Sequence, residues 1–293
     1  MWQSYELPTS VEETLAILAR HQGRARIIAG GTDLVIELQE GKHRAECLVD
    51  VTRIPGLDRI ELDGDWIRLG ANVTFRQIKE SPLLQEHARV LSEAAASVGA
   101  LQIQTVATLA GNVVNAMPAA DGCVALMVLD AQAEITEASG RTWRPVGELF
   151  LGPGQSAVDP TQQMVTAIRF PAAGPRKGSA WERIGRRQAL VLPILNCAVQ
   201  VEVNGTGDRL EWARIGLGPV APVPFRALQA EAFLAGRPAN DETFAEAGEI
   251  AAGESNPRSN VLRASREYRL EVLKVLVRHG LERAVDQARA RSS

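Results

Sequence analysis

A short β-branched run followed at once by two glycines limits what this 293-residue chain can fold into. Residues 26–29 read as a strand, which Gly30-Gly31-Thr32-Asp33 then interrupts. A Ser-x-x-Glu capping pattern at residues 10–13 predicts a helix before this strand, and the apolar spacing of residues 34–38 predicts another after it. Because the second helix separates this strand from the next β-branched run, residues 47–51, the two strands are expected to pair in parallel.

Antiparallel pairing is predicted directly afterwards. Residues 60–62 and 65–70 alternate apolar and polar side chains around a tight turn, which is typical of a hairpin. Helical spacing returns at residues 82–99 and again from Asp121, and residues 133–136 read as a further strand. Since parallel and antiparallel strands both occur, the pattern favours an α+β fold over a doubly wound parallel sheet.

Chain breakers indicate a division near the middle of the sequence. Residues 171–179 are rich in Pro and Gly and lack periodicity, so we expect a domain boundary close to residue 175. Beyond it, strand-like runs at residues 197–203 and 212–217 are followed by mainly helical sequence. This half of the chain is predicted to form a small sheet backed by helices.

Charge and cysteine content exclude several functional classes. The 32 Lys and Arg residues are offset by 35 Asp and Glu residues, which leaves no positive excess for binding nucleic acid. Cys47, Cys123 and Cys197 are scattered singly, unlike the ligand spacing of zinc or iron–sulfur sites, so no metal site is expected. No apolar run approaches the roughly 20 residues that span a bilayer, and the start does not resemble a signal peptide. We therefore expect a cytoplasmic protein that does not span a membrane.

The first candidate binding segment is the glycine turn itself. Two glycines allow backbone amides to converge on an anion, and Thr32 adds a hydroxyl group beside a helix N-terminus. The segment matches neither the Gly-x-Gly-x-x-Gly fingerprint nor the phosphate loop that ends in Gly-Lys-Ser/Thr. Taken alone, the turn is equally typical of an ordinary structural turn that connects a strand to a helix.

A second glycine turn is predicted at Thr108-Leu109-Ala110-Gly111-Asn112, followed by Asn115 and Asp121. Its polar side chains suit the hydroxyl groups of ribose or ribityl. Each residue taken singly is a common turn or cap residue. Two such turns in one domain together indicate a ligand with a diphosphate at its centre and polar groups on both sides.

Read together, these two segments resemble the FAD-binding signatures of the medium subunit of molybdenum hydroxylases, a family that includes the xanthine dehydrogenase and carbon monoxide dehydrogenase types. Other fragments follow the order found in that family. They are Leu48-Val49-Asp50-Val51, Leu69-Gly70-Ala71-Asn72-Val73-Thr74, Gly185-Arg186-Arg187, Pro224-Phe225-Arg226-Ala227 and Ser265-Arg266-Glu267-Tyr268-Arg269. The resemblance covers nearly the whole chain.

The resemblance implies a fold and a set of cofactor contacts. It implies an FAD-binding domain of the vanillyl-alcohol-oxidase (PCMH) type over residues 1–175, made of two α+β subdomains at about 1–55 and 56–175, and a smaller α+β C-terminal domain over 176–293. The two turns would wrap the FAD diphosphate, Asp121 would hold a ribose hydroxyl, and the stretch around Val165 would contact the cofactor through its backbone. The implied cofactor-binding residues are Ile27, Ile28, Ala29, Gly30, Gly31, Thr32, Asp33, Leu34, Thr108, Leu109, Ala110, Gly111, Asn112, Asp121 and Val165.

Three places depart from the family pattern. Ala110 stands where the second turn usually has its first Gly, a change that is tolerated if φ stays negative there. Val191 and Leu192 stand where the family often has an Asp and a residue that packs near the isoalloxazine. Glu182 occupies a position where some members carry a flavin-contacting Lys. These departures bear on the flavin potential and the acceptor rather than on FAD binding.

The resemblance also implies an electron-transfer role within a complex. FAD on this chain would receive electrons from [2Fe-2S] clusters on a small partner subunit. A large molybdopterin-binding subunit would complete the complex, which would be a dimer of heterotrimers. The acceptor would be NAD, oxygen or a quinone-like molecule. No catalytic acid or base is expected on this chain. Two other interpretations stay open: a free-standing FAD-dependent oxidase, and a non-catalytic nucleotide-binding or assembly module.

Overall fold

The N-terminal part of the molecule is a three-stranded parallel sheet with two helices. The computed structural model describes residues 2–187, 189–260 and 264–292. The sheet has the order β1-β3-β2, so the parallel pairing of β2 with β3 is confirmed. Ser10 begins the first helix, as predicted, because its side chain accepts a hydrogen bond from the amide of Glu13. The elements are β1 (Ser4–Glu6), α1 (Val11–His21), β2 (Ala25–Ile28), α2 (Leu34–Gln39) and β3 (Cys47–Asp50).

A five-stranded antiparallel sheet follows, with helices between its strands. Its order is β4-β5-β10-β6-β7, and the predicted hairpin forms its edge, where Ile60 pairs with Leu69 and Asp63 with Trp66. A separate two-stranded sheet is formed by β8 and β9. The strands are β4 (Ile60–Asp63), β5 (Trp66–Gly70), β6 (Gln132–Glu137), β7 (Gly140–Pro145), β8 (Phe150–Gly152), β9 (Gln155–Ser156) and β10 (Met164–Pro171). The helices are α3 (Phe75–Glu80), α4 (Pro82–His87), α5 (Arg89–Ser97), α6 (Leu101–Gln104), α7 (Leu109–Val114) and α8 (Asp121–Val128).

Two local expectations in this part differ from the structure. The helical spacing over residues 82–99 belongs to two helices, α4 and α5, because Ala88 between them has a non-helical backbone with φ −146°. The second glycine turn is itself helical, since Gly111 lies inside α7 rather than in a loop. The helical spacing over residues 82–99 is thus confirmed apart from the break at Ala88, whereas the turn expected at residues 108–112 is wrong, because both features depend on backbone angles that the residue pattern does not reveal.

The C-terminal part is a four-stranded antiparallel sheet with the order β11-β12-β13-β14, covered by helices, as the sequence indicates. The connection before it is shorter than predicted, since β10 ends at Pro171 and the next strand starts at Lys177. Its elements are β11 (Lys177–Ile184), β12 (Leu195–Val203), β13 (Leu210–Gly218), β14 (Phe225–Arg226), α9 (Leu228–Leu234), α10 (Asp241–Glu254) and α11 (Arg266–Ala290).

The helix α8 lies between α5 and the C-terminal sheet and determines where the site can be. All of its residues except Met127 are buried, including Gly122 and Val124, and it packs against α5 on one side and against β12 and β13 on the other. A helix that is apolar on every face requires such double burial. Its first residue, Asp121, is therefore placed at the junction of the two halves of the molecule.

Hydrophobic cores accompany each sheet. The largest is centred on the five-stranded sheet and includes Phe75 and Phe170, and another is centred on the C-terminal sheet and α11. The N-terminal sheet has two small clusters of its own, around Val51 and around Leu18. Within the described residues, no helix is both long and apolar enough to cross a membrane.

Candidate functional site

The two predicted glycine segments meet in the folded chain. A Cβ atom at Gly30 would lie 2.1 Å from the carbonyl oxygen of Val106 and 3.0 Å from the Cα atom of Ala107. Both neighbours are main chain, so only glycine allows the backbones to touch at this point. The first turn, residues 29–33, and the segment that leads into α7 are therefore in contact, and we call the region where they meet the cleft.

Gly31 is required by backbone conformation. Its φ is +66°, in the left-handed region that side chains with a Cβ rarely adopt. A Cβ atom would also meet Ile28 Cδ1 at 3.0 Å and Val35 Cγ2 at 3.1 Å, so the constraint arises from the turn's own apolar neighbours. The sequence predicted that Gly31 leaves space for a diphosphate. The structure shows in addition that it turns the chain from β2 into α2.

The helix after this turn presents an incompletely covered surface. Asp33 precedes α2 but its side chain makes no capping hydrogen bond, and the side chain is exposed. None of the α2 residues is buried, although Leu34, Val35 and Ile36 are all apolar. Ile36 is 53% exposed. The exposed apolar side chain of Ile36 is therefore available for contact with another molecule.

The second segment is held rigidly by its own hydrogen bonds. The Thr108 hydroxyl accepts a hydrogen bond from the Gly111 amide at 3.0 Å and so caps α7. The Leu109 amide donates to the Val73 carbonyl at 3.1 Å, which pins the start of the helix. Ala110 lies in helical backbone, so the alanine that replaces the family's glycine is accommodated without strain.

Burial divides the predicted contacts of this segment. The side chains of Thr108, Leu109 and Ala110 are less than a tenth exposed, whereas Gly111 is exposed and Asn112 is half-buried. The accessible part of the segment is thus Gly111 together with part of Asn112. Thr108, Leu109 and Ala110 hold this accessible part in position.

Asp121 is nearly enclosed by polar groups from both halves of the chain. It is 6% exposed, and its Oδ1 accepts a hydrogen bond from Asn196 Nδ2 at 2.6 Å. Its Oδ2 accepts from Ser97 Oγ at 3.4 Å and lies 3.5 Å from Arg183 Nε. Burial raises the pKa of the Asp121 carboxyl to about 6, although the charge of Arg183 and the hydrogen bonds from Asn196 and Ser97 oppose that rise. This carboxyl therefore joins the two domains, and its contact with a ribose stays a prediction.

Arg183 is the functional residue that sequence reasoning missed. Successive side chains of a strand point to opposite faces, and on β11 this sends Arg183 toward Asp121 and Glu182 toward Arg283, whose Nη1 lies 2.7 Å away. The positively charged Arg183 side chain therefore lies beside Asp121, one residue after Glu182, the position at which the family comparison noted a departure. The strand alternation around Trp181, which is buried, was the signal that could have revealed it.

Arg183 also holds the next segment in place. Its Nη2 donates to the Val191 carbonyl, and the Leu190 amide donates to the Gly99 carbonyl at 2.9 Å. These bonds fasten the loop beside α6 and leave Leu190 and Leu192 58% and 56% exposed. Leu101 and Val106, at the start of α6 and just after it, are also exposed, and we call these four apolar side chains the rim.

Val165 lies below the cleft rather than in its wall. Its side chain is 5% exposed and belongs to the same core as Ala107 and Ala110. The preceding residue, Met164, belongs to the hydrophobic cluster against which Ile27 of β2 and Ala29 of the first turn pack. The start of β10 is therefore next to the turn, and any contact of Val165 with a ligand must use its main chain.

Comparison with known proteins agrees with this geometry. The chain matches the family model described as the FAD binding domain in molybdopterin dehydrogenase over residues 2–173, and that of the CO dehydrogenase flavoprotein C-terminal domain over residues 180–284. It is 31% identical over 289 residues to a xanthine dehydrogenase FAD-binding subunit of Escherichia coli O157:H7, covering 97% of each chain. It is 27% identical to the carbon monoxide dehydrogenase medium chain of Hydrogenophaga pseudoflava, covering 96% of each.

Solved structures show the same relationship in three dimensions. The fold is similar to a chain of carbon monoxide dehydrogenase from Hydrogenophaga pseudoflava with a TM-score of 0.92 at 27% identity over 98% of each chain. It is also similar to quinoline 2-oxidoreductase from Pseudomonas putida 86, with a TM-score of 0.89 at 26% identity over 97% of each chain. The α+β fold with an FAD-binding domain and a flavoprotein C-terminal domain is thereby confirmed. The chain belongs to the FAD-binding subunit family of the molybdopterin dehydrogenases and is an oxidoreductase flavoprotein subunit.

Proposed function

We propose that this chain positions FAD between the [2Fe-2S] clusters of a small partner subunit and a final acceptor, which is NAD, oxygen or a quinone-like molecule. The proposed assembly includes a large molybdopterin-binding subunit, forms a dimer of heterotrimers and works in the cytoplasm. The observation that carries the proposal is the contact of Gly30 with Val106, which joins the two signature segments in one cleft. FAD supplies the redox chemistry when bound, and the protein supplies position and electrostatics.

The cleft residues fit a flavin dinucleotide on three counts. Asp33 makes no side-chain capping hydrogen bond at the start of α2, so the first amides of that helix are left for a diphosphate. Arg183 Nε is buried without a hydrogen-bond partner and lies 3.5 Å from Asp121 Oδ2, so it places a positive charge beside that carboxylate. The exposed apolar rim of Leu190 and Leu192 suits a flat ring system.

The residues that would hold the cofactor have distinct tasks in this proposal. Residues 27–34, with residues 108–112, hold the diphosphate, chiefly through main-chain amides. Asp121 accepts a hydrogen bond from a ribose hydroxyl, with Asn196 keeping its carboxylate oriented. Val165 contributes only main chain. We further propose that the cofactor domain ends near residue 175, which is supported by the separate cores of the two sheets.

The exposed apolar rim is the observation that supports the binding of partner subunits. Leu101, Val106, Leu190 and Leu192 are each at least 47% exposed, and water-exposed apolar side chains grouped at one cleft are typical of an interaction surface. Related chains are named as subunits, including the medium chain of a carbon monoxide dehydrogenase. The free-standing oxidase interpretation lacks a comparable supporting observation.

Anaerobic flavin reduction tests the function directly. Purified chain is loaded with FAD and mixed with xanthine or quinoline, with and without the small and large partner subunits. We expect the flavin absorbance to persist with the chain alone and to bleach only in the full assembly. Bleaching by the substrate with the chain alone would establish a free-standing oxidase instead, and a chain that takes up no FAD would overturn the proposal altogether.

A matched pair of surface variants tests the docking rim. Leu101→Asp places a charge on the rim at a side chain that is 57% exposed, whereas Leu228→Asp places one on α9 at a similar exposure of 62%. We expect the first variant to lose co-purification with the small subunit and the second to retain it, while both bind FAD. Equal retention by the two variants would remove the rim from the interface.

A further inference from the structure

A second cluster of chemically reactive side chains lies outside the FAD cleft. Glu6 at the end of β1, His21 at the end of α1 and Cys47 at the start of β3 converge on the face of the N-terminal sheet that α1 covers. The glycine turn follows the C-terminal end of β2, whereas Cys47 pairs with Ala25 at the N-terminal end of that strand. The cluster is therefore separate from the cofactor residues.

The donor atoms stand at the spacing of a metal site. His21 Nε2 is 3.4 Å from Glu6 Oε1, Cys47 Sγ is 3.9 Å from the same oxygen, and the three atoms lie within 4.8 Å of one another. Tetrahedral zinc with ordinary bond lengths places a nitrogen and an oxygen ligand about 3.4 Å apart, and a sulfur and an oxygen about 3.6 Å apart. Only small side-chain movements would bring these donors to ligand distance.

The cluster is reachable from solvent on one side, and it contains a negatively charged carboxylate. Cys47 is fully buried, and above it the Glu6 and His21 side chains are 32% and 19% exposed. The Arg20 guanidinium bonded to Glu6 lowers the pKa of its carboxyl, so Glu6 is ionised at neutral pH. Burial raises the pKa of the Cys47 thiol, so the free thiol is protonated and loses its proton when it ligates a metal.

Arg20 is the competitor for this site. Its Nη2 lies 2.6 Å from both carboxylate oxygens of Glu6, which occupies the lone pairs that a cation would use. The Arg20 side chain is 61% exposed, so it can turn into solvent when a cation binds. An exposed pair of this kind contributes little free energy, and its loss opposes metal binding only weakly.

We propose that Glu6, His21 and Cys47 bind a zinc-class divalent cation, with water as the fourth ligand, and that this cation fastens β1, α1 and β3 together. The mixed sulfur, nitrogen and oxygen donors favour zinc over calcium or magnesium, which prefer oxygen alone. The N-terminal sheet has only small hydrophobic clusters of its own, and small cores gain most from such a fastening. Binding exchanges the thiol S–H bond for a sulfur–metal bond and releases one proton, with no change of oxidation state.

Cobalt titration of the full-length chain tests the proposal, because cobalt(II) bound to thiolate has a sulfur-to-metal charge-transfer band. We expect one equivalent of this band in the wild type, and zinc should abolish it by displacement. Cys47→Ser should lose the band, whereas Cys123→Ser and Cys197→Ser, which alter the other buried free thiols, should keep it. A band that persists in Cys47→Ser, or none in the wild type, would overturn the proposal.

Two further variants keep the test decisive if Cys47→Ser folds poorly. His21→Gln alters a partly exposed ligand and should weaken cobalt binding at least tenfold with FAD uptake unchanged. Arg20→Ala removes the competitor and should tighten binding about two- to fivefold. If the Glu6–Arg20 ion pair were only structural, removing Arg20 would not tighten cobalt binding. An unchanged or weaker affinity of Arg20→Ala for cobalt would therefore contradict the proposed metal site. The FAD content of each variant reports separately on the proposed function.

Discussion

Gly30→Ala should separate the two halves of the FAD cleft. The new Cβ atom would lie 2.1 Å from the Val106 carbonyl oxygen, whereas an ordinary contact begins at 3.4 Å. The two backbones must therefore move apart by about 1.3 Å, the difference between those distances. Since the obstacle is main chain, no side-chain rotation can relieve it. Overpacking of this kind costs about 1–3 kcal/mol.

That cost should be measured as weaker FAD binding. The apo variant relaxes by opening the cleft, and binding must then restore the closed arrangement against the strain. At about 1.4 kcal/mol for each factor of ten, the Kd for FAD should rise about 5- to 150-fold. Fluorescence titration of the apoprotein with FAD gives this ratio, and urea unfolding gives the accompanying loss of stability.

Gly205→Ala is the matched control, because no atom lies within 4 Å of a Cβ at Gly205. It should bind FAD as the wild type does. If Gly30→Ala binds FAD within twofold of the wild type, the cofactor does not depend on the contact between the two segments. Lower stability with unchanged affinity would have the same meaning, and the Gly30–Val106 contact would then be structural only.

Three other variants probe the cleft. Gly31→Val places a β-branched residue at φ +66°, and the purified protein should lose its flavin absorbance while circular dichroism shows the C-terminal domain still folded; wild-type flavin content would contradict this. Asp121→Asn removes a carboxyl whose pKa of about 6 exceeds its unfolded value, so the wild type should lose about 2 kcal/mol of unfolding free energy between pH 4.5 and 7.5 relative to the variant; parallel pH profiles in urea would refute the shift. Arg183→Met removes the hydrogen bond to the Val191 carbonyl and should speed trypsin cleavage after Arg186 or Arg187 several-fold, whereas Glu182→Gln should not; equal rates would contradict the anchoring role.

The secondary structure was largely readable from local pattern. The hairpin of β4 and β5 has period-two alternation and a glycine at φ +59° in its turn, Gly64, so its register follows from local rules. The parallel pairing of β2 and β3 follows from the intervening helix. The break at Ala88 did not follow, because α5 departs there to pack against β11, which is remote in sequence.

The cleft was only partly readable. Its segments were found through their glycines, and Gly31 is required by a local property, its positive φ. The role of Gly30 depends on Val106, a distant neighbour, and that contact has no local signal. Arg183 was missed because a shift of one residue on a strand reverses the face of the side chain.

The sequence by itself determined the α+β pattern, the two glycine segments and, through resemblance, the FAD-binding family. Only the tertiary structure decided which of these residues face one another. It enclosed Asp121 with Arg183 and Asn196, and it brought Cys47 to Glu6 and His21 although the cysteine spacing had indicated no metal site. Periodicity and turn chemistry act over a few residues, whereas such clusters depend on how sheets and helices pack, and that packing joins residues far apart in the chain.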